Sequence, residues 1–220
     1  MQRFTRFTNL FLILTCLLSA CGQVVQPPSP EPINTPTSGT ELTPIDVAVG
    51  YGVKGSWFEL YFTDPTNPLS PQGTGGLDVP LVEALDRARL SIDVAAYSLS
   101  LNSVRYALIN AHNRGVTVRM VMESTNMDRS DPQALIEAGI SIVGDNQDGL
   151  MHDKFIVIDR SEVWLGSMNF TDSGTYDDNN NMIRVLSTKL AENYTVEFEE
   201  MFKENPVSYT HLTLPTKRIV

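Results

Sequence analysis

Short apolar segments of strand length alternate with amphipathic helical segments, and this alternation limits the possible folds more than any other feature. Strands are predicted where apolar and β-branched residues run together, at 57–62, 90–98, 116–122, 140–143, 154–159, 162–166 and 182–187. Helices are predicted to begin near Asp78, Ser103, Asp131 and Lys189, with Asp78 and Ser103 as N-caps. The pattern predicts an α/β domain with a mixed β-sheet flanked by helices on both faces.

The first 21 residues have the composition of an export signal. Arg3 and Arg6 precede an apolar core from Leu10 to Leu18, which is too short and wrongly flanked for a spanning helix. The ending Leu-Ser-Ala-Cys21 resembles a bacterial lipobox, in which the cysteine is lipidated and becomes the first mature residue. We therefore predict an exported lipoprotein, membrane-anchored on the extracytoplasmic face. An ordinary cleaved signal is the alternative.

Three further segments are predicted after this signal. Residues 22–44 are rich in Pro, Ser and Thr and suit an extended tether. Residues 45–206 are predicted to form one globular domain, which is long enough to bury a core. Residues 207–220, VSYTHLTLPTKRIV, show neither periodicity and resemble translated sequencing-adapter sequence. They are predicted to be a non-native tail, and the natural protein then continues beyond about Pro206.

Charge and cysteine content restrict the possible functions. Acidic residues outnumber basic residues by 26 to 16, which gives a net charge of −10. Proteins that coat long nucleic acids usually carry a basic surface, so this balance argues against such a role without excluding a nuclease. The cysteines are Cys16 and Cys21, both in the predicted signal. A disulfide, a thiol nucleophile or a zinc cluster is therefore not expected in the domain.

A histidine and a lysine interrupt the apolar strand that follows residue 151. Side chains alternate along a strand, so His152 and Lys154 point the same way, about 7 Å apart. Gly166 permits a turn after the next strand, and Ser167 and Asn169 offer neutral donors there. A nitrogen nucleophile or base, a fixed cation and neutral donors together suit the binding and reaction of a phosphate.

Asp159 is separated from this group. It follows His152 by seven residues, which is about 23 Å along a straight strand. Asp159 therefore cannot act on the same phosphate. We interpret it as structural, bonding the main chain at the far end of the strand.

The string His152-x-Lys154-x4-Asp159-x6-Gly166-Ser167-x-Asn169 resembles the HxKx4Dx6GSxN signature of the phospholipase D superfamily at every fixed position. The resemblance extends over about 57–204 and implies a phospholipase D-like α-β-α sandwich. It implies a catalytic motif of His152, Lys154 and Asp159, with His152 as nucleophile or as its acid–base partner. Lys154 and Asn169 would bind phosphate oxygens, Ser167 would support them, and no metal or cofactor would be required.

The chain departs from the family pattern in two respects. The family site combines two such motifs, and this sequence holds one. The resemblance therefore implies a homodimer, or a second motif missing from this chain. Family members often carry a glutamate where this chain has Asn180. Asp177, Asp178 or a neighbouring chain would then orient the histidine, or the imidazole would be less activated; a plain polar loop is the alternative interpretation of this segment. His112 has no lysine two residues on and is predicted to be a surface residue.

The leading hypothesis is a phosphodiesterase of the phospholipase D type that acts through a phosphohistidine intermediate. A phospholipid is the favoured substrate because of the predicted membrane anchor and the acidic balance. An endonuclease with the same chemistry is the first alternative, and transfer of the phosphatidyl group to an alcohol is another outcome of the same intermediate. A non-catalytic surface module that binds a partner is the alternative from a different class.

Overall fold

The structure is a computed structural model that describes residues 41–145 and 149–204. The predicted signal with Cys21, most of the predicted tether and the predicted tail lie outside the described residues. No helix within the described ranges has the length and apolar character needed to cross a bilayer.

In the described residues, nine strands form one mixed sheet in the spatial order β1-β2-β3-β9-β8-β7-β4-β5-β6. The pairs β4–β5 and β5–β6 are parallel, and the other neighbours are antiparallel. The strands are β1 (Thr43–Ile45), β2 (Tyr51–Lys54), β3 (Phe58–Phe62), β4 (Ser91–Ala96), β5 (Thr117–Met122), β6 (Ser141–Gly144), β7 (Lys154–Ile158), β8 (Glu162–Gly166) and β9 (Asn181–Leu186). The strands β1 and β2 were not predicted, and β1 begins inside the predicted tether.

The α-helices among the described residues are α1 (Asp78–Arg87), α2 (Asn102–Asn113), α3 (Ser130–Glu137), α4 (Asp172–Tyr176) and α5 (Thr188–Glu204). The two predicted N-caps are wrong. The Asp78 carboxylate instead accepts hydrogen bonds from Ser103 Oγ at 2.8 Å and from the Tyr176 hydroxyl at 2.6 Å. These tertiary partners, which join α1, α2 and α4, replace the local capping bonds that the sequence pattern suggested.

Helices cover both faces of the sheet. α5 packs across β4, β5, β7 and β8, and the rings of Phe155 in β7 and Tyr194 in α5 lie 4.9 Å apart. α1 packs against α2 and shares a cavity wall with Arg184 of β9. Arg184 is in register with Trp164 and Ile156, and Ile156 points away from Phe155 because side chains alternate. The predicted mixed sheet flanked by helices on both faces is therefore confirmed.

The strand ends that matter for the site lie next to one another along one boundary of the sheet, which runs across the ends of the central strands and not along an edge strand. Lys154 opens β7 beside Ala96 at the end of β4, and Ala96 lies beside Met122 at the end of β5. At the same edge, Gly166 ends β8 opposite Met182 in β9. We call this boundary the functional edge.

Candidate active site

β7 carries the predicted histidine and lysine to the functional edge. Lys154 to Ile158 are all buried, because the apolar run fills the space between the helical layers. His152 precedes the strand and is exposed. The solvent-exposed imidazole of His152 thus lies directly before a strand whose residues are buried.

Lys154 is 9% exposed, yet its polar group has partners. Nζ donates a hydrogen bond to the His152 carbonyl oxygen at 2.7 Å and lies 5.5 Å from the centre of the Tyr97 ring. Burial lowers the pKa of Lys154 below its usual range, and the Asp153 carboxylate partly opposes that change. The ammonium is therefore held close to His152 in a poorly solvated place, where its attraction for an anion is strong.

Asp153 separates the two residues in the sequence and has a different environment. Burial raises the pKa of its carboxyl, and the charges of Lys154 and His152 act in the opposite direction. Its carbonyl oxygen accepts a hydrogen bond from the Tyr97 N–H at 3.0 Å. The main chain of the motif is thereby tied to the segment that follows β4.

Ser167 and Asn169 follow β8 at the same edge. Ser167 Oγ donates to Asn180 Oδ1 at 2.9 Å and accepts from the Asn181 N–H at 3.0 Å. Asn169 Oδ1 is buried and has no hydrogen-bond partner in the described residues. A buried amide oxygen without a partner is uncommon, so Asn169 Oδ1 retains the capacity to accept a hydrogen bond at this edge.

The segment that holds Asn169 is itself fixed. The next residue, Phe170, is buried, and its carbonyl oxygen accepts from the Ser100 and Leu101 N–H groups at 2.9 and 3.0 Å. On the other side, a Cβ at Gly174 would lie 2.5 Å from the Asn169 carbonyl oxygen, so a larger residue there would displace this segment. The loop after β8 and the loop after β4 are thus joined next to the site.

Asp159 directly follows β7, at the other end of this strand from the functional edge. Its carboxylate accepts from the main-chain N–H groups of Arg89, Leu90 and Ser91, at 2.7 to 3.2 Å. Asp159 also adopts φ +50°, in the left-handed region that aspartate tolerates better than most residues. These bonds support the structural interpretation of Asp159 and place it at the other end of β7 from His152 and Lys154, although the signature groups the three residues in one catalytic motif.

Asn180 occupies the position where the family often has glutamate, and its amide is engaged elsewhere. It accepts from Ser167 Oγ and donates from Nδ2 to the Gly174 carbonyl at 2.8 Å. Asp177 and Asp178 are exposed, and within the described residues no hydrogen bond joins them to His152. The expectation that they orient the imidazole gains no support from their placement. His112, predicted to be on the surface, is partly buried in α2.

Sequence reasoning missed three residues at this edge: Tyr97, Glu123 and Asn126. Tyr97 follows β4, and its ring lies 4.9 Å from the His152 imidazole. Glu123 follows β5 and accepts the Met151 N–H at 2.8 Å. Asn126 donates to the Tyr97 carbonyl. A polar residue directly after an apolar strand was the available signal, since Tyr97 and Glu123 both have that position.

No three His, Cys, Asp or Glu side chains converge into a metal-binding group within residues 41–145 and 149–204. The described residues supply three groups at this edge: the exposed imidazole of His152, the nearby ammonium of Lys154 and the side-chain amide of Asn169. That set is suited to attack on a phosphate ester.

Residues 81–202 match the family described as "Cardiolipin synthase, PLD-like domain". The chain belongs to this phospholipase D-like family. The prediction made from the signature is therefore confirmed at the level of family and fold.

Two curated relatives illustrate the similarity. The chain is 37% identical over 116 residues to phospholipase D of Rickettsia prowazekii, covering 52% of this chain and 57% of that protein. It is 33% identical over 132 residues to mitochondrial cardiolipin hydrolase of Xenopus tropicalis, covering 59% and 63%. The chain thus spans about three fifths of the length of these relatives.

Two solved structures share the fold. The phospholipase D family member Nuc of Salmonella typhimurium superposes with a TM-score of 0.56 at 27% identity, covering 66% of this chain and 92% of Nuc. NucT of Helicobacter pylori superposes with a TM-score of 0.53 at 18% identity, covering 67% and 97%, which supports the fold alone.

Proposed function

We propose that this phospholipase D-like protein hydrolyses phosphodiester bonds through a covalent intermediate on His152. The observation that carries the proposal is the pairing at the functional edge of an exposed imidazole with a buried ammonium, whose Nζ lies 2.7 Å from the His152 carbonyl oxygen. Lys154 Nζ and the Asn169 Nδ2 group donate hydrogen bonds to the non-bridging oxygens of the phosphate. Their role is to stabilise the negative charge that increases at those oxygens in the transition state.

The reaction has two displacement steps. In the first, an imidazole nitrogen of His152 forms a bond to phosphorus while the bond to the leaving alkoxide breaks, and a second histidine gives that alkoxide a proton. In the second, the same second histidine takes a proton from water, and the water oxygen displaces His152 from phosphorus. The products are an alcohol and a phosphomonoester, and both histidines regain their starting states.

We propose that the second histidine comes from a second copy of the chain; a second motif beyond about Pro206 is the alternative. The described residues carry one such motif, and an isologous dimer brings two identical edges together around a twofold axis. Co-expression of wild-type protein with His152→Ala tests this proposal. In random dimers with half of each chain, activity falls to about one quarter of the all-wild-type value. A fall to about one half means that each chain works alone.

A phospholipid is the favoured substrate. The acidic balance of the chain disfavours long polyanions, and the predicted lipid anchor at Cys21 would hold the site at a membrane surface. Relatives named phospholipase D and mitochondrial cardiolipin hydrolase support the same choice. Incorporation of labelled fatty acid into the expressed protein, and its loss in Cys21→Ser, tests the anchor.

A nuclease is the second candidate. The similarity to Nuc covers 92% of that chain at 27% identity, so the aligned domain accounts for nearly all of Nuc. The same phosphohistidine chemistry would then act on a sugar–phosphate backbone.

The deciding experiment measures release of nitrophenol from bis(p-nitrophenyl) phosphate by purified protein, with His152→Ala prepared in parallel. We expect turnover by the wild type and none by the variant. Equal rates of nitrophenol release by the two proteins would contradict the proposed function. The same preparations are then given phosphatidylglycerol vesicles, cardiolipin vesicles and single-stranded DNA, and the preferred substrate separates lipid hydrolysis from nuclease activity.

A further inference from the structure

One aromatic ring contacts both members of the His-x-Lys pair. The Tyr97 ring meets the His152 imidazole nearly edge to face, with centroids 4.9 Å apart and an interplanar angle of 65°. Lys154 Nζ lies 5.5 Å from the centre of the same ring. Tyr97 follows β4, which pairs directly with β7, so the contact forms across neighbouring strand ends.

Hydrogen bonds on both sides fix the main chain that carries this ring. The Tyr97 N–H donates to the Asp153 carbonyl at 3.0 Å, and Asn126 Nδ2 donates to the Tyr97 carbonyl at 2.6 Å. Glu123 accepts the N–H of Met151, the residue before His152, at 2.8 Å. Glu123 and Asn126 are each 3% exposed. Buried polar side chains are costly unless they are hydrogen-bonded, and here their bonds hold the two main-chain segments that carry the ring and the imidazole.

Glu123 and Asn126 also belong to a single short turn, Ser124–Asn126 with Glu123 before it. The Asn126 N–H donates to the Glu123 carbonyl at 3.0 Å, and the Glu123 carboxylate accepts from Thr125. One rigid turn after β5 therefore fixes Tyr97 and Met151 relative to each other.

We propose that Tyr97 is a positioning residue for the reaction, which orients the His152 imidazole and holds the Lys154 ammonium beside it. The inference rests on the proposed function. Edge-to-face packing restricts rotation of the imidazole. The ring face attracts a cation, so Tyr97 favours the charged form of Lys154 and opposes the effect of burial.

A packing role without catalytic consequence makes different predictions. Loss of a ring that only fills space would lower the melting temperature and leave the kinetics of the folded molecules unchanged. Loss of a positioning ring lowers kcat and changes the pH profile of the folded molecules.

The test compares Tyr97→Leu with Tyr97→Phe, which keeps the ring, and with Tyr106→Leu, which removes a tyrosine that is 57% exposed on α2. Rates are expressed per folded molecule with bis(p-nitrophenyl) phosphate. We expect kcat to fall by about 10- to 100-fold in Tyr97→Leu, because small displacements of reacting groups are costly. Tyr97→Phe should keep most of the wild-type rate, and Tyr106→Leu should have the same rate as the wild type.

The pH profile separates positioning from stability. The ionisable groups near the ammonium in the described residues include Asp153 and His152 in its own segment and Tyr97 itself. Glu123 after β5 bonds to Met151, and Tyr194 of α5 lies near Asp153; neither residue is changed in the variants compared. Loss of the ring disfavours the charged form of Lys154, so the alkaline limb of kcat/KM moves to lower pH in Tyr97→Leu but not in Tyr97→Phe. An unchanged rate and profile in folded Tyr97→Leu overturn the inference.

A measurement without turnover separates this inference from the proposed function. The motion of the His152 ring is followed by NMR relaxation in wild type, Tyr97→Leu and Tyr97→Phe. We expect a more mobile imidazole in Tyr97→Leu alone; equal ring mobility in all three contradicts the inference even if the protein is an active phosphodiesterase. A wild type without turnover contradicts the proposed function, and this measurement still decides whether Tyr97 fixes the imidazole. If Tyr97→Leu does not fold, Asn126→Ala removes the hydrogen bond to the Tyr97 carbonyl and should also increase the mobility of the ring.

Discussion

The two ends of β7 carry residues of the same signature in opposite physical states. At the far end, the Asp159 carboxylate accepts hydrogen bonds from three consecutive main-chain N–H groups. At the functional edge, His152 is exposed and the buried Asn169 Oδ1 has no partner among the described residues. Polar groups that stabilise a fold use their hydrogen bonds inside the protein. Polar groups that bind a substrate keep some hydrogen-bonding atoms available. The comparison therefore assigns stability to the end of β7 at Asp159 and catalysis to the functional edge.

The strongest test of this division is His152→Ala. We expect turnover to fall by at least about 10⁴-fold, because the nucleophile is lost. The melting temperature should hardly change, since the imidazole is exposed. His112→Ala is the matched control and should retain full activity. A large loss of stability in His152→Ala would show that the functional edge also supports the fold.

Lys154→Met should have the next largest effect. Methionine keeps most of the buried stem and removes the ammonium, so we expect kcat/KM to fall by about 10²- to 10³-fold. Stability should stay the same or rise, because burying a charged group is unfavourable. Steady-state kinetics together with thermal unfolding would check both statements. A variant that loses stability without losing activity would reverse the assignment of this end.

Asp159→Ala should show the opposite pattern. It removes the acceptor of the hydrogen bonds from 89–91 and places alanine at a positive φ, so the free energy of unfolding should fall by about 2 kcal/mol. Activity per folded molecule should be retained. Asp159→Asn keeps one acceptor oxygen and tolerates the left-handed conformation, so its loss should be smaller. Urea unfolding of the three proteins measures the order, and a catalytic loss in folded Asp159→Asn would contradict it.

Asp153→Asn should have the smallest effect, which is detected in the pH dependence of the melting temperature. Burial raises the pKa of Asp153 above its ordinary value of 3.8, so its ionised form opposes folding at neutral pH. The variant should therefore melt slightly higher at pH 7, by no more than about 3 °C. This gain should disappear as the pH falls below the ordinary value, where the carboxyl is protonated in both states.

The same substitution should also affect Lys154. The Asp153 carboxylate raises the pKa of Lys154 against the effect of burial, so its removal should move the alkaline limb of kcat/KM to lower pH. A shift to higher pH would contradict the electrostatic description of the functional edge.

The sequence predicted the parts of the site that lie close together along the chain. The spacing of His152, Lys154, Ser167 and Asn169 sufficed to locate the functional edge, and strand geometry sufficed to separate Asp159 from it. The alternation of strands and helices predicted the sheet and its two helical layers.

What escaped prediction depends on partners distant in sequence. The main-chain bonding of Asp159 was predicted, but its partners were not: they are N–H groups about 70 residues earlier, at Arg89 to Ser91. Asp78 and Ser103 suggested N-caps by local pattern, but they bond to each other. Tyr97 is 55 residues from His152 in the chain and meets it because β4 pairs with β7. Local spacing contains no information about such contacts.

The most direct test of the central claim is detection of phosphate covalently bound to His152. Protein mixed with bis(p-nitrophenyl) phosphate is quenched in alkali, where phosphohistidine survives, and the peptide that contains residues 152–154 is analysed by mass spectrometry. The account predicts a nitrophenyl phosphate adduct on His152 that is labile in acid and decays at the rate of turnover. Turnover without any adduct, and with undiminished activity in His152→Ala, would contradict it.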